Sequence, residues 1–191
     1  MYAQKHEDQG TITLSQMDYL PIVIESFLID RKAQGLSRET VQFYKKKLNY
    51  FAKFCESQAV TQVGQLTPDL LRRYLLGLSE RHNPGGVHAC FRSLRTLLLW
   101  VAQEEIMPLE WKNPIHKVKA PKLPNELLDP ITLEDVNALV ATCKHSFSGV
   151  RDKAMILGLL DTGARAQEFL NLNLEDVEMT TGAVLIRQGK G

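Results

Sequence analysis

The chain has 191 residues, 44% of them hydrophobic, with a net charge of +1, so it can bury the core of one ordinary domain or two small ones. No stretch approaches the ~20 consecutive apolar residues of a membrane helix, and the opening residues are too polar for a secretory signal. No membrane role is expected, and the default location is the cytoplasm.

The near-neutral total hides a division of charge. Residues 1–30 carry one Lys and five acids, residues 31–125 carry 16 Lys and Arg against seven acids, and residues 126–191 carry six against ten. A basic block between two acidic ones is what a polyanion-binding surface looks like, although many soluble helical domains carry a basic face with no partner. Cys55, Cys90 and Cys143 lack C-x-x-C spacing, and the histidines His6, His82, His88, His116 and His145 lack metal-ligand spacing. Reduced structural cysteines and no metal are expected.

Residues 1–15 are polar, have no clear period and read as a leader. From Met17 the apolar positions Leu20, Ile24, Phe27 and Leu28 predict a helix that ends at Gly35. Ser37 then caps a second helix, whose buried stripe is Val41, Tyr44, Leu48, Phe51 and Cys55. Its other face carries Arg38, Lys45, Lys46, Asn49 and Lys53, either a solvated surface or a set of phosphate contacts.

Thr67-Pro68-Asp69 starts a third helix, with Leu70, Leu71, Tyr74, Leu75 and Leu78 inward. Asn83-Pro84-Gly85-Gly86 breaks the chain before a fourth, with Val87, Phe91, Leu94, Leu98 and Val101 inward and His88, Arg92, Arg95 and Thr96 outward. Four such helices predict an all-α bundle over roughly residues 16–106, with cations clustered on the second and fourth. Residues 113–124, NPIHKVKAPKLP, read as an extended linker whose Lys117, Lys119 and Lys122 are suited to follow a phosphate backbone.

Beyond the linker, Thr132 with Asp135 caps a helix containing Val136, Leu139 and Val140, and another runs from about Gly149 to Asp161. Thr162-Gly163-Ala164-Arg165 reads as a turn, Ala166 to Leu172 as a short helix, Ala183–Arg187 as a strand, and Gly189-Lys190-Gly191 as the start of a hairpin tip.

The passage TGARAQEFLNLNLEDV followed by LIRQGKG resembles the first catalytic box of the tyrosine recombinases, the phage-integrase family. That box is a T-G-x-R-x-x-E-L turn and helix followed some 25 residues on by a glycine-flanked lysine; here Glu168 falls three after Arg165 and Lys190 falls 25 after it. Phe169 stands where the family usually has Leu. The resemblance implies a mainly α fold: a four-helix SAM-like core-binding domain (residues 16–112), a linker (113–125) and a truncated α+β catalytic domain (126–191). In that family the two domains close as a C-shaped clamp on duplex DNA, protomers assemble on the DNA, and strands are exchanged through a 3′-phosphotyrosine without cofactor. Arg165 is then the first catalytic arginine, Glu168 its supporting acid and Lys190 the hairpin lysine.

The residue types suit the chemistry. A guanidinium is always charged and donates two parallel hydrogen bonds, so it stabilises charge building on the nonbridging oxygens of a phosphodiester under attack. Glu168 at i+3 shares a helix face with Arg165, and a lysine whose pKa can fall on site is able to protonate the leaving 5′ oxygen. The family also needs a tyrosine nucleophile and a His-x-x-Arg box after the lysine, whereas Tyr2, Tyr19, Tyr44, Tyr50 and Tyr74 all precede Arg165. Binding to DNA without cutting is the expectation for these 191 residues, whether as part of a longer recombinase or as a truncated relic. Two other readings stay open: a non-catalytic DNA-binding regulator or decoy, and a helical protein-interaction module.

Overall fold

The computed structural model describes residues 18–124 and 129–187, so the leader and Lys190 lie outside the described residues. The chain divides into two compact units, residues 1–125 and 126–191.

The first unit contains α1 (Leu20–Ala33), α2 (Arg38–Ser57), α3 (Pro68–Ser79) and α4 (Pro84–Gln103). Each start has a local cause. The Ser37 hydroxyl accepts from the Thr40 amide at 3.3 Å, Thr67 from Leu70 at 3.2 Å, and Asn83 from Gly86 at 2.8 Å. Asn83-Pro84 is therefore the cap and first turn of α4 itself, and the two glycines expected to break the chain lie inside the helix. Proline is tolerated there because the first-turn N–H has no intrahelical partner to lose. At the end of α1, Gly35 adopts φ +76°, and the Leu36 amide reaches back to the Arg31 carbonyl.

The four apolar stripes meet in one core, with Phe27, Leu48, Phe51, Leu71, Leu94 and Leu98 each at most 1% exposed. Helix α4 is central and packs on α1, α2 and α3, which explains why it buries Cys90, Ser93, Leu97 and Trp100 beyond the expected stripe. Phe27 joins three helices: its ring meets Tyr44 edge-on at 5.3 Å and Trp100 at 5.5 Å. Burial pushes the Cys55 thiol up to about 12, as suits an inert structural cysteine.

The expected extended linker is only half extended. Residues Pro114–Lys117 form a 3-10 turn packed on α3, and Pro114, Ile115 and Val118 are buried. Asn113 Nδ2 donates to the Leu98 carbonyl at 2.7 Å, its Oδ1 accepts from the Ile115 amide, and Arg72 Nη2 donates to the Lys117 carbonyl at 2.8 Å. Apolar residues between the prolines, inconspicuous in sequence, find a groove and fix the first half of the segment.

The second unit contains α5 (Leu133–Ala141), α6 (Phe147–Thr162) and α7 (Ala166–Leu170). Thr132 and Asp135 cap α5 reciprocally, Asp135 N to Thr132 Oγ1 at 3.1 Å and Thr132 N to Asp135 Oδ2 at 3.0 Å. The expected strand at Ala183–Arg187 is reduced to a single antiparallel bridge, Val177 with Val184, flanked by Leu185 N to Asp176 O and Glu178 N to Ala183 O, each 2.8 Å. Two hydrogen bonds close a ribbon but do not extend a ladder. Apolar cover is thin here: among the described residues of this unit only Val136, Gly149 and Asp176 are buried, while Phe147 is 88% and Leu174 89% exposed.

Asn113→Ala removes a buried donor and leaves the Leu98 carbonyl without its side-chain partner. We expect a loss of about 1–3 kcal/mol in thermal or urea unfolding; a change below about 0.5 kcal/mol, typical of a surface site, would contradict it. In the second unit the Asn173 amide and then Arg187 hold the Asp176 carboxyl below the usual carboxylate range. A depressed folded-state pKa contributes stability above the unfolded value of about 3.9 that is lost as pH falls through the folded value. The Leu185 amide resonance is expected to titrate below that pH; a midpoint at or above the ordinary aspartate value would contradict the pairing.

Candidate nucleic-acid interface and arginine cleft

On α2, Arg38, Lys45, Lys46 and Lys53 are all exposed. At 100° per residue they fall within an arc of about 100°, its centre about 130° round the helix from that of Val41, Leu48, Phe51 and Cys55. Lys47 falls off this arc and is half-buried. On α4, Arg92 and Arg95 are exposed, whereas His88 is half-buried beside the Phe91 ring and is less free than the sequence suggests. Lys117, Lys119 and Lys122 are exposed along the linker.

Among the described residues none of these lysines and arginines forms a salt bridge, while Arg31 is paired with Asp30, Arg73 with Asp69 and Arg151 with Asp152. Their charge is uncommitted, so no ion pair has to be broken before they meet a phosphate. Arg72 belongs to none of the sequence patterns. It holds the Lys117 carbonyl from 45 residues away, and no local pattern signals so distant a partner.

In the second unit the turn TGAR is built by its own residues. Thr162 Oγ1 donates to the Gly158 carbonyl and accepts from the Ala164 amide, and Gly163 closes α6 at φ +61° with its N–H on the Leu159 carbonyl. The chain then leaves in extended conformation through Arg165, the residue preceding α7. The Glu168 carboxylate accepts from the Arg165 amide at 2.9 Å, capping the helix, and from Arg165 Nη1 at 2.7 Å. One carboxylate thus fixes both the main chain and the guanidinium. Glu168 is only 13% exposed while the Arg165 side chain is 64% exposed, so the cation fronts solvent with its anion behind it. Phe169, larger than the usual leucine, fits because it lies against Gly158, where a Cβ would come within 2.5 Å of the ring.

Arg165 and Glu168 line a cleft of about 750 Å³ whose walls also include Asn173, Asp176, Leu185 and Arg187. Asp176 is 4% exposed, accepts from the Asn173 amide at 2.9 Å and is ion-paired with Arg187. Arg165 and Glu168 are brought together as their spacing predicts. The position of Lys190 lies outside the described residues. Of the tyrosines, Tyr74 is buried, with burial raising its phenol above the usual tyrosine range. Tyr44, expected in the core, is half-buried against Phe27.

No described helix is long and apolar enough to cross a membrane. The model of the phage integrase family matches residues 130–191. The chain is 30% identical over 182 residues to tyrosine recombinase XerC 2 of Ralstonia nicotianae, covering 91% of this chain and 50% of that protein. It is 28% identical over 193 residues to tyrosine recombinase XerD of Proteus mirabilis, covering all of this chain and 60% of that one. It therefore spans roughly half the length of the curated relatives it matches. A lambda integrase tetramer bound to a Holliday junction has a protomer of similar fold, with TM-score 0.72 and 12% identity over 92% of this chain and 51% of that one. Sequence similarity running through both units, with the TGAR turn formed where the spacing places it, makes this chain a member of the tyrosine recombinase, or phage integrase, family.

Proposed function

We propose that these 191 residues bind duplex DNA in the cytoplasm as the core-binding domain (16–112), linker (113–125) and first part of the catalytic domain (126–191) of a site-specific tyrosine recombinase. The observation that carries the reading is the Arg165–Glu168 pair, in which a half-buried carboxylate locks a guanidinium that remains open to a cleft. Arg165 stabilises the charge that builds on the nonbridging phosphate oxygens, Glu168 orients it, and Lys190 protonates the leaving 5′ oxygen. Arg38, Lys45, Lys46 and Lys53 of α2, His88, Arg92 and Arg95 of α4, and Lys117, Lys119 and Lys122 of the linker contact the backbone of the duplex. Protomers assemble on the DNA, a reading supported by the lambda integrase of similar fold, which is a tetramer on a Holliday junction.

The uncommitted cations generate the first test. Counterion release lowers log affinity by about 0.9 per neutralised phosphate for each unit of log salt. Lys45→Ala, Lys46→Ala and Arg95→Ala are each expected to weaken binding of duplex DNA and to flatten that slope by about 0.9, measured by fluorescence anisotropy. Affinity indifferent to salt in the parent chain would sink the DNA reading and favour a protein-interaction module.

No tyrosine follows Arg165 in these residues, which favours binding without cutting, as in a regulator or decoy, for this chain on its own. A nicked suicide substrate traps phosphotyrosine as a band that survives denaturing electrophoresis. We expect none from this chain, because Arg165 and Lys190 assist a displacement without supplying the attacking oxygen. A band would place the nucleophile among the upstream tyrosines and overturn the assignment.

A further inference from the structure

We propose that Arg187 is a second DNA-phosphate contact in the cleft that Arg165 lines. This deepens, and rests on, the DNA-binding reading above.

The two arginines share one feature of presentation, an anchoring carboxylate withdrawn from solvent. Arg165 is held through Nη1 by Glu168, whose side chain is 13% exposed, and keeps its own side chain 64% exposed. Arg187 is held through Nε by Asp176, whose side chain is 2% exposed, and keeps its own 55% exposed. In each case the carboxylate is withdrawn from solvent while the arginine stays more than half exposed, and both arginines line the cleft. Asp176 is itself anchored by the Asn173 amide and side chain at 2.9 and 3.4 Å, so its position does not depend on Arg187. The remaining contact of Arg187, Nη2 to Glu175 at 3.4 Å, is to a carboxylate 72% exposed and is easily exchanged for a phosphate oxygen.

The competing role is a strap that holds residues 183–187 in place. That ribbon is already closed by its own backbone, through Leu185 N to Asp176 O and Glu178 N to Ala183 O. A strap would also be better made from apolar side chains, because burying a carboxylate costs desolvation that a well-packed hydrophobic contact avoids. A carboxylate behind an exposed guanidinium makes sense when the guanidinium has an anion to meet, since it restricts the rotamers of a long side chain before binding.

The test is the salt dependence of binding by the 191-residue chain to a short random-sequence duplex, from about 50 to 200 mM salt. Arg187→Ala is expected to lower affinity several-fold and flatten the log–log slope by about 0.9, and Arg187→Lys, which keeps the charge, to restore the slope. If the alanine variant does not fold by circular dichroism, Arg187→Gln, close in length and still a donor, takes its place with the same expected slope. Affinity that falls with the slope unchanged makes Arg187 structural and overturns the proposal, as does a variant that matches the parent. A parent chain that fails to bind the duplex overturns the DNA-binding reading itself, which separates the two failures.

Discussion

A long cationic side chain keeps a fixed position only if its backbone or its charged group is anchored, and both units of this protein supply such an anchor. In the first unit long cationic side chains are rooted on one face of a helix whose other face is fixed in a core. In the second, carboxylates withdrawn from solvent grip arginines from behind. The two solutions differ because their backgrounds differ. The first unit has a dense core to which α4 contributes nine buried residues, so helix position alone places the cations. The second has few buried residues among those described, so position has to come from polar contacts.

Glu168 shows how economical such a contact is. A short helix such as α7 cannot persist on its own hydrogen bonds, since nucleation is costly and a five-residue segment gains few of them. By capping the Arg165 amide, Glu168 stabilises the helix start; by accepting from Nη1, it fixes the guanidinium of the same residue. Fold and site share one group. Substitution at position 168 therefore acts on both, and a fall in activity alone does not separate them. Gly158 and Phe169 show a similar dependence: the absence of a side chain on α6 is the space in which the ring of α7 sits.

The linker illustrates how a polar, proline-rich passage becomes structure. Three prolines exclude a regular helix, yet Asn113, Pro114, Ile115 and Val118 are buried because the loop satisfies its polar groups on α4 and α3 as it packs. The segment beyond Val118 remains exposed up to Leu123 apart from the half-buried Pro121, so the linker is rooted at one end. Lys117 belongs to the rooted end, and Lys119 and Lys122 to the exposed one.

Local signals determined much of this protein. Helical periodicity, the caps Ser37, Thr67 and Thr132, and the breaks at Gly35 and Gly163 are interactions within a few residues, so the sequence alone places the helices and the pairing of Arg165 with Glu168. Where the local rule admitted two outcomes the sequence misled: Asn83-Pro84-Gly85-Gly86 reads as a break but starts α4, and the apolar run Ala183–Arg187 reads as a strand but pairs at one bridge. Tertiary structure alone decided the contacts that join distant residues: Arg72 to the Lys117 carbonyl, Asn113 to the Leu98 carbonyl, and Arg187 to Asp176. Each depends on which surfaces meet when separate elements pack, and that information is spread over the whole chain rather than written at either partner.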